Sequence, residues 1–288
     1  MASLKDLKKR LQTVKSTRQI TKAMKMVAAA KLRKSQEALL ALRPYAYKIA
    51  AIINALKERG EGFEHPLLRK RDTKKTRVLI ISSDRGLCGS YNSNIIKKAE
   101  SYLRESGLTG ENCVLDFVGR KAYDYFKRRY SNIGDNHKLD VNPTYKDVSH
   151  ISDSLISSYI EGDFDSLVVV YNEFKSAMTQ KLTVEPMFPI IPSRNDELSN
   201  VDAYVYEPGK NEIITELLPK YVKVEVFRML LESLTSEHGA RMTAMENATK
   251  NSEEMMKRLS LMYNRQRQTA ITTELMEIVG GKEALENG

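Results

Sequence analysis

Apolar residues near the start of the chain recur every three or four positions. Leu4, Leu7, Leu11 and Val14 set the rhythm. After an interruption at Arg18 and Thr21, Ile20, Met24 and Val27 continue it on a shifted stripe, and Leu39, Leu42, Ala46, Ile49, Ile53 and Leu56 resume the alternation. The other end repeats the pattern: Ile214, Leu217, Tyr221 and Val224 open a seam, Leu231, Met242, Met245, Met256, Leu259 and Tyr263 extend it, and Ile271, Leu275 and Ile278 close it. Such spacing puts one stripe of a long helix against a second helix. Residues 1–59 contain no Gly and one Pro, Pro44, and residues 220–279 contain no Pro and one Gly, Gly239. Both residue types interrupt helices, so the ends read as long and unbroken. At 1.5 Å per residue, segment 1–59 would span roughly 90 Å and segment 220–282 roughly 95 Å. Rods of matched length at opposite ends of one chain are expected to pair as an antiparallel coiled coil, with the middle inserted at its base. Pro44 should bend the first helix without ending it. Pro219 should separate a short helix at 210–218 from the long one, and Gly280-Gly281 should cap the last helix.

Six of eight prolines and ten of fourteen glycines fall between Gly60 and Gly209, which marks a turn-rich globular unit. Strands are predicted at Arg77–Ser83, Cys113–Val118, Leu167–Phe174, Lys181–Phe188 and Asp202–Tyr206. Helices are predicted over Asn92–Arg104, Lys121–Tyr130 and Val148–Ile160. Strands alternating with helices imply a Rossmann-like, mostly parallel α/β domain with antiparallel edges. The expected organisation is 1–59 as the N-terminal coiled-coil helix, 60–209 as the central α/β domain and 210–288 as the C-terminal coiled-coil helix.

Charge sharpens the picture. Of the net +9, residues 1–34 carry eleven Lys/Arg against Asp6 alone, whereas residues 210–288 carry eleven basic against twelve acidic residues. The excess belongs to the first helix and marks a partner with a negative surface, whether nucleic acid, membrane or acidic protein. No run approaches 18 uncharged apolar residues, and MASLKDLKKR lacks the apolar core of a signal peptide, so neither a transmembrane helix nor secretion is expected. Cys88 and Cys113, without CxxC spacing, offer no disulfide framework or thiolate zinc site, and the four histidines are scattered singly.

Candidate chemistry is thin. The turn after the first strand, Asp84 to Asn92, has two glycines but neither GxGxxG nor GxxxxGK[ST], so it reads as a structural or protein-contact loop. Cys88 lacks a neighbouring His and reads as a small buried thiol. Met242, Met245, Met255, Met256, Met262 and Met276 read as seam packing. Against a nucleic-acid role for the basic helix, residues 1–44 contain no aromatic on which a base could stack. A basic coiled-coil nucleic-acid-binding protein and an α/β nucleotide enzyme remain the alternatives at this point.

Longer motifs go further. Ile20–Lys34 (ITKAMKMVAAAKLRK), Arg43-Pro44-Tyr45, Ser83–Gly89 (SDRGLCG), Ser236–Asn247 (SEHGARMTAMEN) and Tyr263–Val279 (YNRQRQTAITTELMEIV) resemble the γ subunit family of F-type ATP synthases. The resemblance spans the chain. It implies a non-catalytic rotor without cofactor or nucleic-acid partner, one copy per complex. Its terminal helices would stand inside a ring of α and β subunits, and its central domain would rest on the ε subunit and the c-ring. It further implies a peripheral place on the cytoplasmic face of a bacterial membrane. By motif, Met24 and Lys25 would face the lower collar of the ring, Arg85 and Cys88 an acidic region of β, and Arg241 the first helix and the collar. Arg267, Gln268, Thr272 and Glu274 would engage β loops higher up, and Tyr204, Tyr206 and Glu207 would lie near the c-ring. Lys25 departs from the acid that family members can carry there, which leaves its coupling role open. The cysteine-paired insert of the chloroplast type has no counterpart around Pro192–Val201, so thiol control is not expected.

Overall fold

A computed structural model describes residues 3–58, 65–140, 143–191 and 209–286. The chain divides into two compact units, one of residues 28–241 and one of residues 1–27 with 242–288. Helices α1 (Leu4–Glu58) and α5 (Lys210–Glu286) contribute to both.

The larger unit is built on strands β1 (Thr76–Ile81), β2 (Cys113–Val118), β3 (Ile133–His137), β4 (Ser166–Phe174) and β5 (Gln180–Phe188), in the order β3-β2-β1-β4-β5. The first four are parallel and β5 is antiparallel to β4. Crossover helices α2 (Tyr91–Glu105), α3 (Arg120–Phe126) and α4 (Tyr145–Glu161) make the parallel pairing possible. On β1, Val78 and Ile80 join the core under α2 and α3. Leu79 and Ile81 point the other way, into the larger core shared by α4, by Ala46, Ile49 and Ile53 of α1, and by Ile214, Leu218 and Val222 of α5. The two faces follow from the period of two along a strand. β5 carries Pro186 in its exposed course, opposite Val168 of β4.

The mixed α/β class, the mostly parallel sheet and both terminal helices agree with expectation. Strand β3 (IGDNH) was not anticipated, and α3 ends at Phe126 instead of Tyr130. The strand expected at Asp202–Tyr206 lies outside the described residues. Helix α1 continues through Pro44. Pro219 does not divide α5, which runs on from Lys210. A proline inside a helix costs about 3 kcal/mol, while burying each of Ile214, Leu218 and Val222 returns about 1.5–3 kcal/mol, so packing wins. Gly280 and Gly281 do not cap the helix either: neither has positive φ, and α5 continues to Glu286.

In the smaller unit α1 and α5 run antiparallel. Arg18 Nη1 lies 3.9 Å from Glu253 Oε1, the hydroxyls of Thr21 and Thr249 are 2.8 Å apart, and Lys25 Nζ is 3.4 Å from Glu246 Oε1. The inward positions of α1 are therefore Leu4, Leu7, Leu11, Val14, Arg18, Thr21 and Met24, with an unbroken spacing of three and four. Arg18 and Thr21 are members of the seam, and the supposed shifted stripe is wrong: Ile20 is 59% exposed and Val27 57%. The polar pairs across the helices hold the register that apolar contact would otherwise hold.

Candidate functional site

Two surfaces remain as candidates, one in each unit. In the smaller unit, the register of the three cross-helix pairs sets Leu4 opposite about Arg267. Beyond that point α5 has no α1 residue facing it, and every side chain described from Ile271 to Lys282 is exposed. Ile271, Leu275 and Ile278 thus do not close a seam with α1. Met255, Met262 and Met276 are also exposed, whereas Met245 is buried and Met242 and Met256 are half-buried, so only part of the methionine stripe is packing. Arg267, Gln268, Thr272 and Glu274 project from this stretch, the Thr272 hydroxyl donating back to the carbonyl of Gln268 at 2.9 Å. Met24 is half-buried in the seam. Lys25 and Lys250 both reach Glu246 at 3.4 Å and hold its carboxyl below the usual range.

In the larger unit, the loop between β1 and α2 is knitted from within. Ser83 Oγ donates to the carbonyl of Arg85 at 2.6 Å, and its backbone N–H donates to Asn92 Oδ1 at 3.1 Å. Asn92 Nδ2 donates to Cys88 Sγ at 3.2 Å. Leu87 has φ 62°, the left-handed region that costs a non-glycine residue about 1 kcal/mol, and is 63% exposed. Arg85 beside it is exposed. Cys88 is 1% exposed, and burial pushes its thiol pKa up. Cys88 is therefore the base of the loop, and its expected role as a contact is corrected: Leu87 occupies the outer face, a signal hidden because its backbone conformation is not written in residue type.

Arg241 also differs from expectation. Its side chain is 14% exposed and turned toward the loop. Nε and Nη2 donate to the carbonyl of Gly86 at 3.4 and 3.3 Å, and Nη2 reaches the carbonyl of Arg85 at 3.3 Å and Glu237 Oε1 at 2.6 Å. Nη1 lies 3.5 Å from His238 Nδ1. Burial, then Arg241 and Lys31, lower the His238 pKa to about 4, so its ring is neutral at pH 7 and able to accept.

A small cleft lies at the carboxyl ends of β1 and β2, lined among others by Ser82, Asp84, Tyr91, Gly119, Ser233 and Glu237. This is where open parallel sheets place ligands, but Asp84 and Glu237 oppose a phosphate there. The Ser82 hydroxyl is engaged by the carbonyl of Gly119 and the N–H of Ala122, and Tyr91 by Ser233. Among the described residues no group of His, Cys, Asp and Glu is arranged to hold a metal ion, and no helix is long and apolar enough to cross a membrane. Tyr204, Tyr206 and Glu207 lie outside the described residues.

A family model described as ATP synthase matches residues 3–285. The ATP synthase gamma chain of Geobacter sp. (strain M21) is 46% identical over 285 residues, covering 99% of each chain. That of Geobacter metallireducens is 45% identical with the same coverage. Among solved structures, a chain of the Euglena gracilis mitochondrial ATP synthase assembly of OSCP, F1 and c-ring is similar in fold, with a TM-score of 0.70 at 22% identity over 99% of this chain and 95% of that one. A chain of the Tetrahymena thermophila mitochondrial ATP synthase central stalk and c-ring gives 0.61 at 25% identity over 80% and 99%.

Proposed function

The chain belongs to the ATP synthase gamma-chain family, the central-stalk subunits of F-type ATP synthases, and we propose that it is the non-catalytic rotor of a bacterial enzyme. Proton flow turns the c-ring, this chain turns with it, and the catalytic sites on β pass in sequence through states of different affinity. Its partners are the α and β subunits, the ε subunit and the c-ring, one copy serving each complex on the cytoplasmic face of the membrane. The working division is 1–59, 60–209 and 210–288: a two-helix shaft and a central domain that meets ε and the c-ring. The basic nucleic-acid reading finds no support beside an end-to-end match to ATP synthase chains.

The observation that carries the mechanical reading is the bare end of α5, a single helix with Ile271, Leu275 and Ile278 all exposed. A contiguous apolar face of that kind calls for covering by other chains. A helix pair that ends as one helix has no threefold symmetry. Three identical neighbours around it meet different faces, and such differential contact shifts a conformational equilibrium. Contact residues in this reading are Met24, Lys25, Arg85, Arg267, Gln268, Thr272 and Glu274 towards the ring, and Tyr204, Tyr206 and Glu207 towards the c-ring. The cationic face of α1 suits an acidic collar, and exposed ion pairs, worth about 0–1 kcal/mol each, release readily as the shaft turns.

Purification through a tag on this chain, followed by native mass measurement, tests the proposal. Co-purification with two larger nucleotide-binding chains and ATP-driven proton pumping by the reconstituted complex are expected. A lone monomer with tight, salt-dependent nucleic-acid binding would overturn it.

A further inference from the structure

We propose that Arg241 is a positioning residue: with Glu237 it latches the loop Asp84–Gly89 onto α5, so that Leu87 and Arg85 are presented in one fixed orientation. Two successive carbonyls, of Arg85 and Gly86, turn toward one guanidinium, and the next residue, Leu87, adopts the left-handed conformation. The hydrogen bonds from Ser83 and Asn92 tie the loop to its own ends, and Asp84 at its start accepts from the N–H of Arg120 on α3 at 3.0 Å, which leaves its outer part, Arg85 to Leu87, to Arg241. Arg241 ties it to a helix 155 residues further along the chain. Glu237 pairs with the same Nη2 that serves both carbonyls, and neutral His238 faces Nη1.

The guanidinium does more than one point charge could. Nη2 meets both carbonyls and the Glu237 carboxylate, while Nε adds a second bond to the Gly86 carbonyl and Nη1 reaches His238; a single lysine nitrogen could stand in for Nη2 alone, without the planar fork that fixes its direction. Gly86 has open space around the Cβ it lacks, so steric confinement does not hold the loop at this point, and the latch does. Solvation alone would satisfy these carbonyls in a loose loop. Spending a largely buried arginine on them makes sense where the loop must keep its direction under load, which rests on the rotor reading.

Cys88 reports the latch directly, being buried under this loop, while Cys113 is buried in β2 and reports opening of the sheet. The full chain and the assembled complex are labelled with N-ethylmaleimide, and each thiol is followed by peptide mass. Arg241→Ala is expected to label at least tenfold faster at Cys88 with Cys113 unchanged. Arg241→Lys should recover less than half of that difference, and Glu237→Gln should give a rise of two- to threefold. An unchanged Cys88 rate in folded Arg241→Ala would overturn the latch, and so would full recovery by lysine. Should Arg241→Ala fail to fold, the lysine and Glu237→Gln variants decide the question by the same criterion. In the complex, Arg241→Ala should reduce protons pumped per ATP hydrolysed two- to fivefold. Faster labelling with undiminished pumping would overturn the loop's part in coupling, whereas failure of the unaltered chain to enter the complex would overturn the rotor reading instead.

Discussion

The hydroxyl oxygens of Thr21 on α1 and Thr249 on α5 lie 2.8 Å apart, inside a seam where aliphatic side chains would be expected. Each hydroxyl also lies within reach of a carbonyl of its own helix, Arg18 for Thr21 at 3.1 Å and Met245 for Thr249 at 2.8 Å. The pair therefore specifies register at the expense of apolar burial. Replacing both by valine, nearly isosteric, should stabilise the smaller unit by about 1 kcal/mol, since two paired hydroxyls are exchanged for buried methyl groups. Thermal unfolding followed by helical circular dichroism reads this; a lower midpoint for the double variant would show that the hydroxyls stabilise the pair.

Asp116 on β2 is 1% exposed and lies 2.8 Å from Arg77 Nε, an ion contact in which the N–H does not aim at the oxygen. Desolvation outweighs the arginine and raises its pKa from 3.8 to about 6. The folded state thus holds the proton more tightly than the unfolded chain. Its contribution to stability is complete below about pH 4, fades between pH 4 and 6 and is gone above, a change of about 2–3 kcal/mol. Asp116→Asn should lose this slope. Urea denaturation of both proteins at pH 4.5 and 7.5 checks it, and parallel pH profiles would refute it.

Gly119, with φ 93°, leads from β2 into α3, and a Cβ there would stand 2.3 Å from the backbone oxygen of Ser82. Backbone cannot yield as a side chain can, so Gly119→Ala should destabilise the larger unit by about 3 kcal/mol or more. Gly86→Ala, with nothing within 4 Å, should stay within about 0.5 kcal/mol of the unaltered chain. Equal midpoints of chemical denaturation for the two variants would contradict the assignment.

Gly280 and Gly281 sit in open space inside a continuous helix. Alanine at either should raise local helix stability by about 1 kcal/mol. Slower hydrogen exchange of the amides near residue 280 is the measurement; faster exchange would mean that the glycines terminate the helix in solution.

Arg267 and Gln268 are exposed towards the far end of α5. Their joint replacement by alanine should weaken coupling or assembly of the complex severalfold and leave the folded larger unit intact. Unchanged assembly and ATP synthesis would remove them from the contact surface.

Much of the fold was legible because burial and backbone chemistry agree. RVLII, CVLDFV and LVVVY are apolar runs of strand length, and β1, β2, β4, β5, α2 and α4 begin or end within about three residues of expectation. Strand β3 lacks that signal. Its Gly134 is needed because a Cβ would stand 2.1 Å from Asp116 Oδ1, and the N–H of Asp135 donates to that oxygen at 3.0 Å. Such a strand is defined by its neighbour. Arg18 and Thr21 break the apolar pattern for a related reason: polar residues that pair across helices count as interior, and only the partner helix reveals it. Arg241 was visible as a motif residue, but the carbonyls it serves carry no side-chain signature.

Pro186 on the outer course of β5 has no N–H to offer, and Lys181 stands exposed near the start of the same strand. At the opposite edge of the sheet, β3 is five residues long and largely polar. Both margins discourage strand addition by another molecule. Copies outside their assembly are thereby kept from joining sheet edge to sheet edge into fibrous deposits.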